Sequence, residues 1–230
     1  MSNGTLYIVS TPIGNLEDIT FRAVNILKKV NFIASEDTRR SAILLNHYRI
    51  KKSLISYFEH NEITKNPEII NRIICGENCA LITDAGTPGI SDPAYKLIRN
   101  AIDNSVRVES IPGPSAVLTA LTSSGLPTDR FLFEGFLPPR KNRKSRLEKL
   151  NNEDATLIIF ERYNRIQRTL YDIKSILGDR PAVIARELTK LHEELLRGTI
   201  SELLIYLEQK RLKGECVILI GKNKKSVYFN

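Results

Sequence analysis

Leu81-Ile-Thr-Asp-Ala-Gly-Thr-Pro-Gly-Ile-Ser-Asp-Pro93 is an apolar run that ends in a carboxylate and then breaks into a loop with two glycines and two prolines. In open α/β sheets ligands bind beyond the carboxyl ends of the strands, and glycines let main-chain groups approach a ligand with no Cβ in the way. Asp92 is placed to cap a helix that opens at Pro93, its oxygen taking an orphan backbone N–H. Taken alone, the stretch fits a plain strand-to-helix connection as well as a ligand loop.

Outward from this stretch, strand-like and helix-like segments alternate, the pattern of βα units on a mostly parallel sheet. Strands are predicted at 5–10, 32–34, 54–58, 80–83 and 106–111. Ile19, Ala23, Ile26, Leu27 and Val30 recur at helical spacing, and further helices are predicted over 41–48, 67–75 and 93–102. Ile111-Pro-Gly-Pro-Ser-Ala116 interrupts regular structure, so the chain is read as two α/β domains, residues 1–113 and 114–230. In the second, strands are predicted at 130–135, 156–160, 182–186 and 215–220, with a further strand within 192–198 and helices at 145–150, 165–177 and 200–210.

Two other loops, Thr11-Pro-Ile-Gly-Asn-Leu16 and Pro112–Ala116, also follow predicted strands and open into helices. Pro12, Gly14, Asp84, Gly86, Thr87, Pro88, Ile90 and Ser91, with Pro112, Gly113, Ser115 and Ala116, are therefore the candidate ligand-binding residues. Neither GxGxxG nor GxxxxGK[ST] occurs, which argues against a dinucleotide or nucleoside triphosphate site. What remains is a cleft of main chain and small side chains, suited to a neutral or zwitterionic ligand with an adenosine-sized body. Glu36-Asp-Thr-Arg39 sets two carboxylates and a guanidinium at the end of the second strand. Asp37 and Arg39 read either as a cap and its ion-pair partner or as part of an acceptor site where a carboxylate orients or deprotonates a hydroxyl.

Composition narrows the class. Hydrophobic residues at 42% and charged residues at 26% suit a globular core, and the apolar runs are far below the roughly 20 residues that cross a bilayer. The N-terminus lacks the basic region and apolar stretch of a secretory signal, so a cytoplasmic enzyme is expected. Three cysteines and the scattered His47, His60 and His192 form no ligand set, so no metal is expected and the thiols are read as reduced. The net charge of +8 is uneven: residues 1–115 carry 13 basic and 12 acidic side chains, residues 116–230 carry 21 and 14. The second half is the one that would face a polyanion.

Taken together, Thr11-Pro-Ile-Gly-Asn-Leu16 with Asp18, Glu36-Asp-Thr-Arg39, the stretch from Asp84 to Pro93, Ile111–Ala116, Gly135-Phe-Leu-Pro138, Arg186-Glu-Leu-Thr-Lys190 with His192-Glu193, and Gly214-Glu215 resemble, in order and spacing, the tetrapyrrole methylase superfamily. Within it the chain resembles the ribosomal RNA small subunit methyltransferase I family, from residue 5 to about 221. The resemblance implies a tetrapyrrole methylase-like α/β fold of two domains, the first with a mostly parallel sheet and the second with a mixed one. It implies S-adenosylmethionine as methyl donor in the cleft between the domains, a homodimer, and methylation of a cytidine ribose 2′-hydroxyl in 16S ribosomal RNA near the decoding centre. Three features depart from the family: Ala94 replaces a usual glycine, Phe160-Glu-Arg-Tyr-Asn-Arg165 lacks a usual histidine, and many relatives extend further at the C-terminus.

Methyl transfer to a ribose hydroxyl needs alignment of the reacting atoms and a group to take the proton, either a carboxylate or a neutral lysine. By resemblance and charge the catalytic candidates are Asp18, Glu36, Asp37, Glu187, Lys190 and Glu193, although Lys190 and Glu193 also read as an exposed i,i+3 ion pair. Six Lys or Arg and one Glu between Pro138 and Leu150 predict an exposed basic loop. Arg140, Lys141, Arg143 and Lys144 there, with Arg39, are the expected contacts to 16S rRNA or the small ribosomal subunit. Methylation of a small molecule such as a tetrapyrrole precursor would not require that run, and a non-catalytic RNA-binding relative would bind no donor.

Overall fold

The strand-forming runs of the first half assemble into one parallel sheet: β1 (Thr5–Val9), β2 (Phe32–Ser35), β3 (Ser53–Ser56), β4 (Cys79–Ile82) and β5 (Arg107–Ile111), in the order β3-β2-β4-β1-β5. The computed structural model describes residues 3–92 and 94–229, and the chain divides into two units, residues 1–115 and 116–230.

Helices α1 (Phe21–Lys29), α2 (Thr38–His47), α3 (Glu62–Ile74) and α4 (Ala94–Asp103) alternate with these strands. Successive strand residues point to opposite faces, so the buried sheet divides into two cores. Ile69, Ile70 and Ile73 of α3 and Leu97 and Ala101 of α4 pack on Leu6, Phe32, Ala34 and Leu81. Ala23 and Leu27 of α1 and Leu44 and Leu45 of α2 pack on Val9, Ile33, Ala80 and Ile82. β4 therefore feeds a helix on one face, while its neighbours β1 and β2 feed helices on the other. That reversal opens a crevice beyond the carboxyl end of β4, where doubly wound sheets bind their ligands.

Local chemistry sets the helix starts. Thr20 caps α1 by accepting the Ala23 N–H, and Asp37 caps α2 by accepting the Arg39 N–H. The helix predicted over 41–48 thus begins three residues earlier, at its carboxylate cap. α3 begins five residues before Pro67: the Asn61 carbonyl accepts the Thr64 and Lys65 N–H groups, and the proline sits inside the helix. Pro67 has no N–H to give the Ile63 carbonyl, and Ile63 lies on the exposed side of the helix. Pro93, expected to open α4, lies outside the described residues; Asp92 caps that helix by accepting the Ala94 N–H.

The second unit comprises α5 (Ala116–Ser124), β6 (Phe131–Phe136), α6 (Arg143–Leu150), β7 (Thr156–Arg162), α7 (Ile166–Leu177), β8 (Pro181–Arg186), β9 (Glu194–Thr199), α8 (Ile200–Gln209) and β10 (Glu215–Ile220). Its sheet, β6-β7-β10-β8-β9, is mixed: β6 runs parallel to β7 and the other pairs are antiparallel. Leu147, Leu170, Ile173, Leu203 and Leu204 from α6, α7 and α8 bury one face on Leu157, Ile159, Ile184 and Ile218, and α5 lies against β8 and β10. The α/β class, the parallel first sheet and the mixed second sheet are as the sequence led us to expect.

Candidate functional site

Three loops leave the carboxyl ends of β1, β4 and β5, and they are bonded to one another. Thr11 and Gly86 form a backbone bridge, with Thr11 N to Gly86 O at 2.9 Å and Gly86 N to Thr11 O at 3.0 Å. The Thr11 hydroxyl donates to Thr83 O at 3.0 Å. Ser10 Oγ lies 2.8 Å from Thr87 Oγ1, which donates to Pro114 O at 3.2 Å, tying the third loop to the other two.

Two glycines are required for separate reasons. Gly86 has φ +86°, where a side chain is strained, yet a Cβ would meet nothing closer than 3.5 Å. Gly113 is a matter of space, since a Cβ there would come within 2.9 Å of Ser10 Cβ. Of the other expected ligand residues, Pro12 is buried, Gly14, Ile90, Ser91 and Pro112 are exposed, and Ser115 is partly exposed. Ser91 holds φ +67° without being glycine, and Ala116 is the first residue of α5 in the second unit.

Beside these loops stands a group of carboxylates. Glu36, Tyr57, Leu81, Ile82, Thr83, Pro88, Asp92 and Ala94 line a small, open cleft. The Thr83 hydroxyl donates to Glu36 Oε2 at 2.8 Å. Asp84 accepts the Asp37 N–H at 3.1 Å and pairs with Arg40 at 3.2 Å. Asp92 accepts the Gly89 and Ala94 N–H groups at 2.7 and 3.0 Å. Burial, and after it the nearby Glu36, raises the pKa of Asp84; burial raises that of Asp92 against the pull of its two N–H donors. Asp37 goes the other way, to about 2, because Arg39 bonds it through both guanidinium and backbone N–H. Both the cap and the ion pair read from the sequence are therefore present in Asp37 and Arg39. Asp18 is exposed on the 3-10 turn Leu16–Asp18. The sequence reading missed Arg40, Thr83 and Ser10; only their adjacency to flagged residues hinted at a role.

The second unit carries the other candidates. Glu187 and Thr189 both have positive φ, +50° and +64°, a strained turn of the kind that clusters at functional sites. That turn brings Lys190 to Glu187 Oε1 at 3.0 Å and Glu215 Oε2 at 2.8 Å, while Glu193 instead accepts the Thr189 N–H. The expected Lys190–Glu193 pair is thus replaced. Burial alone would depress the Lys190 pKa, but the two carboxylates outweigh it and the net shift is upward, which favours the charged form. For Glu187 burial pulls up, the Glu215 N–H and Lys190 pull down, and the net shift is downward.

The basic segment also needs correction. It is not one exposed loop: Pro138–Asn142 precede α6, which begins at Arg143. Arg140, Lys141 and Lys144 are exposed, but Arg143 is only 5% exposed. It donates to Asp172, Thr169 and the Pro138 carbonyl, so its charge is spent inside the unit and cannot meet RNA. Among the described residues, no three His, Cys, Asp or Glu side chains converge as a metal site would require.

Comparison with known proteins gives this arrangement a setting. Residues 5–204 match the tetrapyrrole (corrin/porphyrin) methylases. The chain is 49% identical over 224 residues to ribosomal RNA small subunit methyltransferase I of Halalkalibacterium halodurans, covering 96% of this chain and 78% of that one. It is 48% identical over 220 residues to the protein of the same name from Thermotoga maritima, covering 95% and 99%. Among solved structures it is similar to the cobalamin biosynthetic enzyme cobalt precorrin-4 methyltransferase, with TM-score 0.71, 17% identity and 94% of each chain covered. It is also similar to a diphthine synthase, with TM-score 0.74, 14% identity, and 95% and 90% covered.

Proposed function

The chain belongs to the tetrapyrrole (corrin/porphyrin) methylases, within them to the ribosomal RNA small subunit methyltransferase I family, and on that footing we propose that it methylates a cytidine ribose 2′-hydroxyl of 16S rRNA near the decoding centre. The observation that carries the reading is the bonded set of loops at the ends of β1, β4 and β5, which presents main chain and small side chains at the switch point of the sheet. S-adenosylmethionine, when bound, supplies a methyl group on a sulfonium that leaves as a neutral thioether. The cradle suits such a ligand: Gly86 and Gly113 keep its wall free of Cβ atoms, and Asp84, paired with Arg40, sets a carboxylate beside it.

The chain's own tasks are to hold the acceptor hydroxyl in line and to take its proton. Glu36 is our choice for the proton, because Thr83 fixes one of its oxygens and it lines the cleft beside the loops. Asp37, pulled down to about 2, is a poor base, and Lys190 keeps its proton and serves as a fixed cation. Arg140, Lys141 and Lys144 are the RNA-facing charges. That substrate makes the cytoplasm the compartment of action.

The test uses tritiated methyl donor with small subunits lacking the mark, followed by mapping of the labelled nucleotide. Label on a cytidine ribose is expected. Label on a base, or none in rRNA while a tetrapyrrole precursor is methylated, overturns the reading.

A further inference from the structure

Glu161, near the end of β7, is a carboxylate only 2% exposed, and it does not stand alone. Its Oε1 accepts the Arg162 N–H at 2.9 Å and pairs with Arg165 at 3.2 Å. Its Oε2 accepts the Thr169 hydroxyl at 2.6 Å, and Thr169, fully buried, accepts Arg143 Nη2 at 2.7 Å. Asp172 anchors the same guanidinium at 2.7 Å. Both arginines then donate to consecutive main-chain carbonyls, Arg165 to Leu137 at 3.2 Å and Arg143 to Pro138 at 3.2 Å. Those carbonyls begin the Pro138–Asn142 loop, whose far end is set by Asn142 at φ +63° and the bond from Arg146 N to Asn142 O.

A buried charge network is a poor way to gain stability, because desolvation of the charges offsets their attraction and apolar packing does as well. What such a network does supply is a single fixed conformation. The segment fixed here is five residues long and carries Arg140 and Lys141, both exposed and neither with an ion-pair partner among the described residues. Cations held in place before binding lose less freedom when they meet phosphates.

We propose that Glu161 and Thr169 are positioning residues for RNA: through Arg165 and Arg143 they hold the Leu137 and Pro138 carbonyls, and so present Arg140 and Lys141 as a preorganised pair to the phosphate backbone. The inference rests on the reading of the chain as an RNA methyltransferase.

The test is a cycle on the full chain with unmodified 16S rRNA, measuring RNA affinity across a salt series, donor affinity and thermal midpoint. Arg140→Ser with Lys141→Ser should weaken RNA binding and flatten the salt slope by roughly 1.5 units. Thr169→Val, isosteric but without the hydroxyl, should weaken RNA binding about three- to tenfold in the natural background. In the Arg140→Ser/Lys141→Ser background it should change RNA affinity by less than about twofold, since no cation pair remains to position. Thr169→Ser should restore the natural affinity, and donor affinity should stay constant throughout. Should Thr169→Val not fold, Arg165→Gln removes the Leu137 arm at a partly exposed site and enters the same cycle. If the double serine variant binds RNA like the natural chain, the RNA reading of the loop fails. If it weakens binding but Thr169→Val has no effect, or the same effect in both backgrounds, the positioning role fails while the RNA reading stands.

Discussion

Thr11 and Gly86 lie 75 residues apart yet exchange two backbone hydrogen bonds, at 2.9 and 3.0 Å, joining the loop after β1 to the loop after β4. The bridge needs Gly86 at φ +86°, and Gly178, at the end of α7, has nearly the same φ of +87° with nothing within 4 Å of the place a Cβ would occupy. Gly86→Ala and Gly178→Ala should therefore each cost about 1–3 kcal/mol of stability, a drop of roughly 2–12 °C in thermal midpoint. Only Gly86→Ala should also lose the rise in midpoint on adding S-adenosylmethionine. Equal donor responses in the two variants would mean that the bridged loops do not bind the donor.

Glu36→Gln keeps an oxygen for the Thr83 hydroxyl and removes the proton acceptor. The expected result is a fall of about 10²-fold or more in kcat, with donor affinity within about twofold of the natural chain. Single-turnover rates with saturating donor and small subunits read this directly. A fall of less than about threefold would move the proton to another carboxylate of the cleft.

Asp92→Asn separates charge from capping, because asparagine still accepts the Gly89 and Ala94 N–H groups. Burial raises the Asp92 pKa above the ordinary carboxylate value of about 4, so the native state binds this proton more readily than the unfolded chain. Stability from this group is then highest below both values and falls as pH rises through the folded pKa. At pH 7 the variant should melt no lower than the natural chain, and its advantage should shrink as the pH falls through the folded pKa. Thermal midpoints taken across that range decide it, and a lower midpoint at pH 7 would contradict the burial cost.

The strands and the three loops were legible in the sequence because both are local signals: β-branched runs, and glycine with proline at their ends. Asp37 as a cap was legible for the same reason, since its partner is the N–H two residues on. Arg143 was not. Its sequence neighbours are cations, while the groups that hold it, Thr169 and Asp172, lie 26 and 29 residues away on α7. Lys190 was misread because positive φ at Glu187 and Thr189 curls the turn back on itself, so the lysine meets Glu187 and the distant Glu215 instead of Glu193. The start of α3 was misplaced because Pro67 reads as a first-turn residue, whereas the helix begins at Glu62 and carries the proline inside it.

Lys190, held by two carboxylates, has its pKa raised, so at neutral pH it is charged and paired, and on the alkaline side the pairs are lost as pH climbs through the raised value. The rate should therefore show no alkaline rise from this group between about pH 6 and 9. Lys190→Arg, which keeps the charge, should stay within about tenfold of the natural kcat, and Lys190→Met should fall further. An alkaline rise that disappears in Lys190→Arg would identify the lysine as the base after all.

Arg140, Lys141 and Lys144 on one side and Arg143 on the other give opposite signatures, although all four lie within five residues. The three exposed cations contribute little to folding, since solvent screens them and the single Lys144–Glu148 pair spans 3.9 Å. Replacing the three with serine should leave the midpoint within about 1 °C and the donor affinity unchanged, while removal of each phosphate contact flattens the slope of log RNA affinity against log salt by roughly 0.7–0.9. Arg143→Met removes a buried guanidinium, taking its bonds from Thr169 and the Pro138 carbonyl and leaving Asp172 only the longer 4.0 Å pair with Arg168. Its cost should be about 2–3 kcal/mol, below that of a fully buried pair because Asp172 is one-third exposed. Arg143 makes no phosphate contact, so its replacement should lower the midpoint and leave the salt slope steeper than in the triple serine variant. The same salt slope in both would mean that the exposed cations do not meet the RNA backbone.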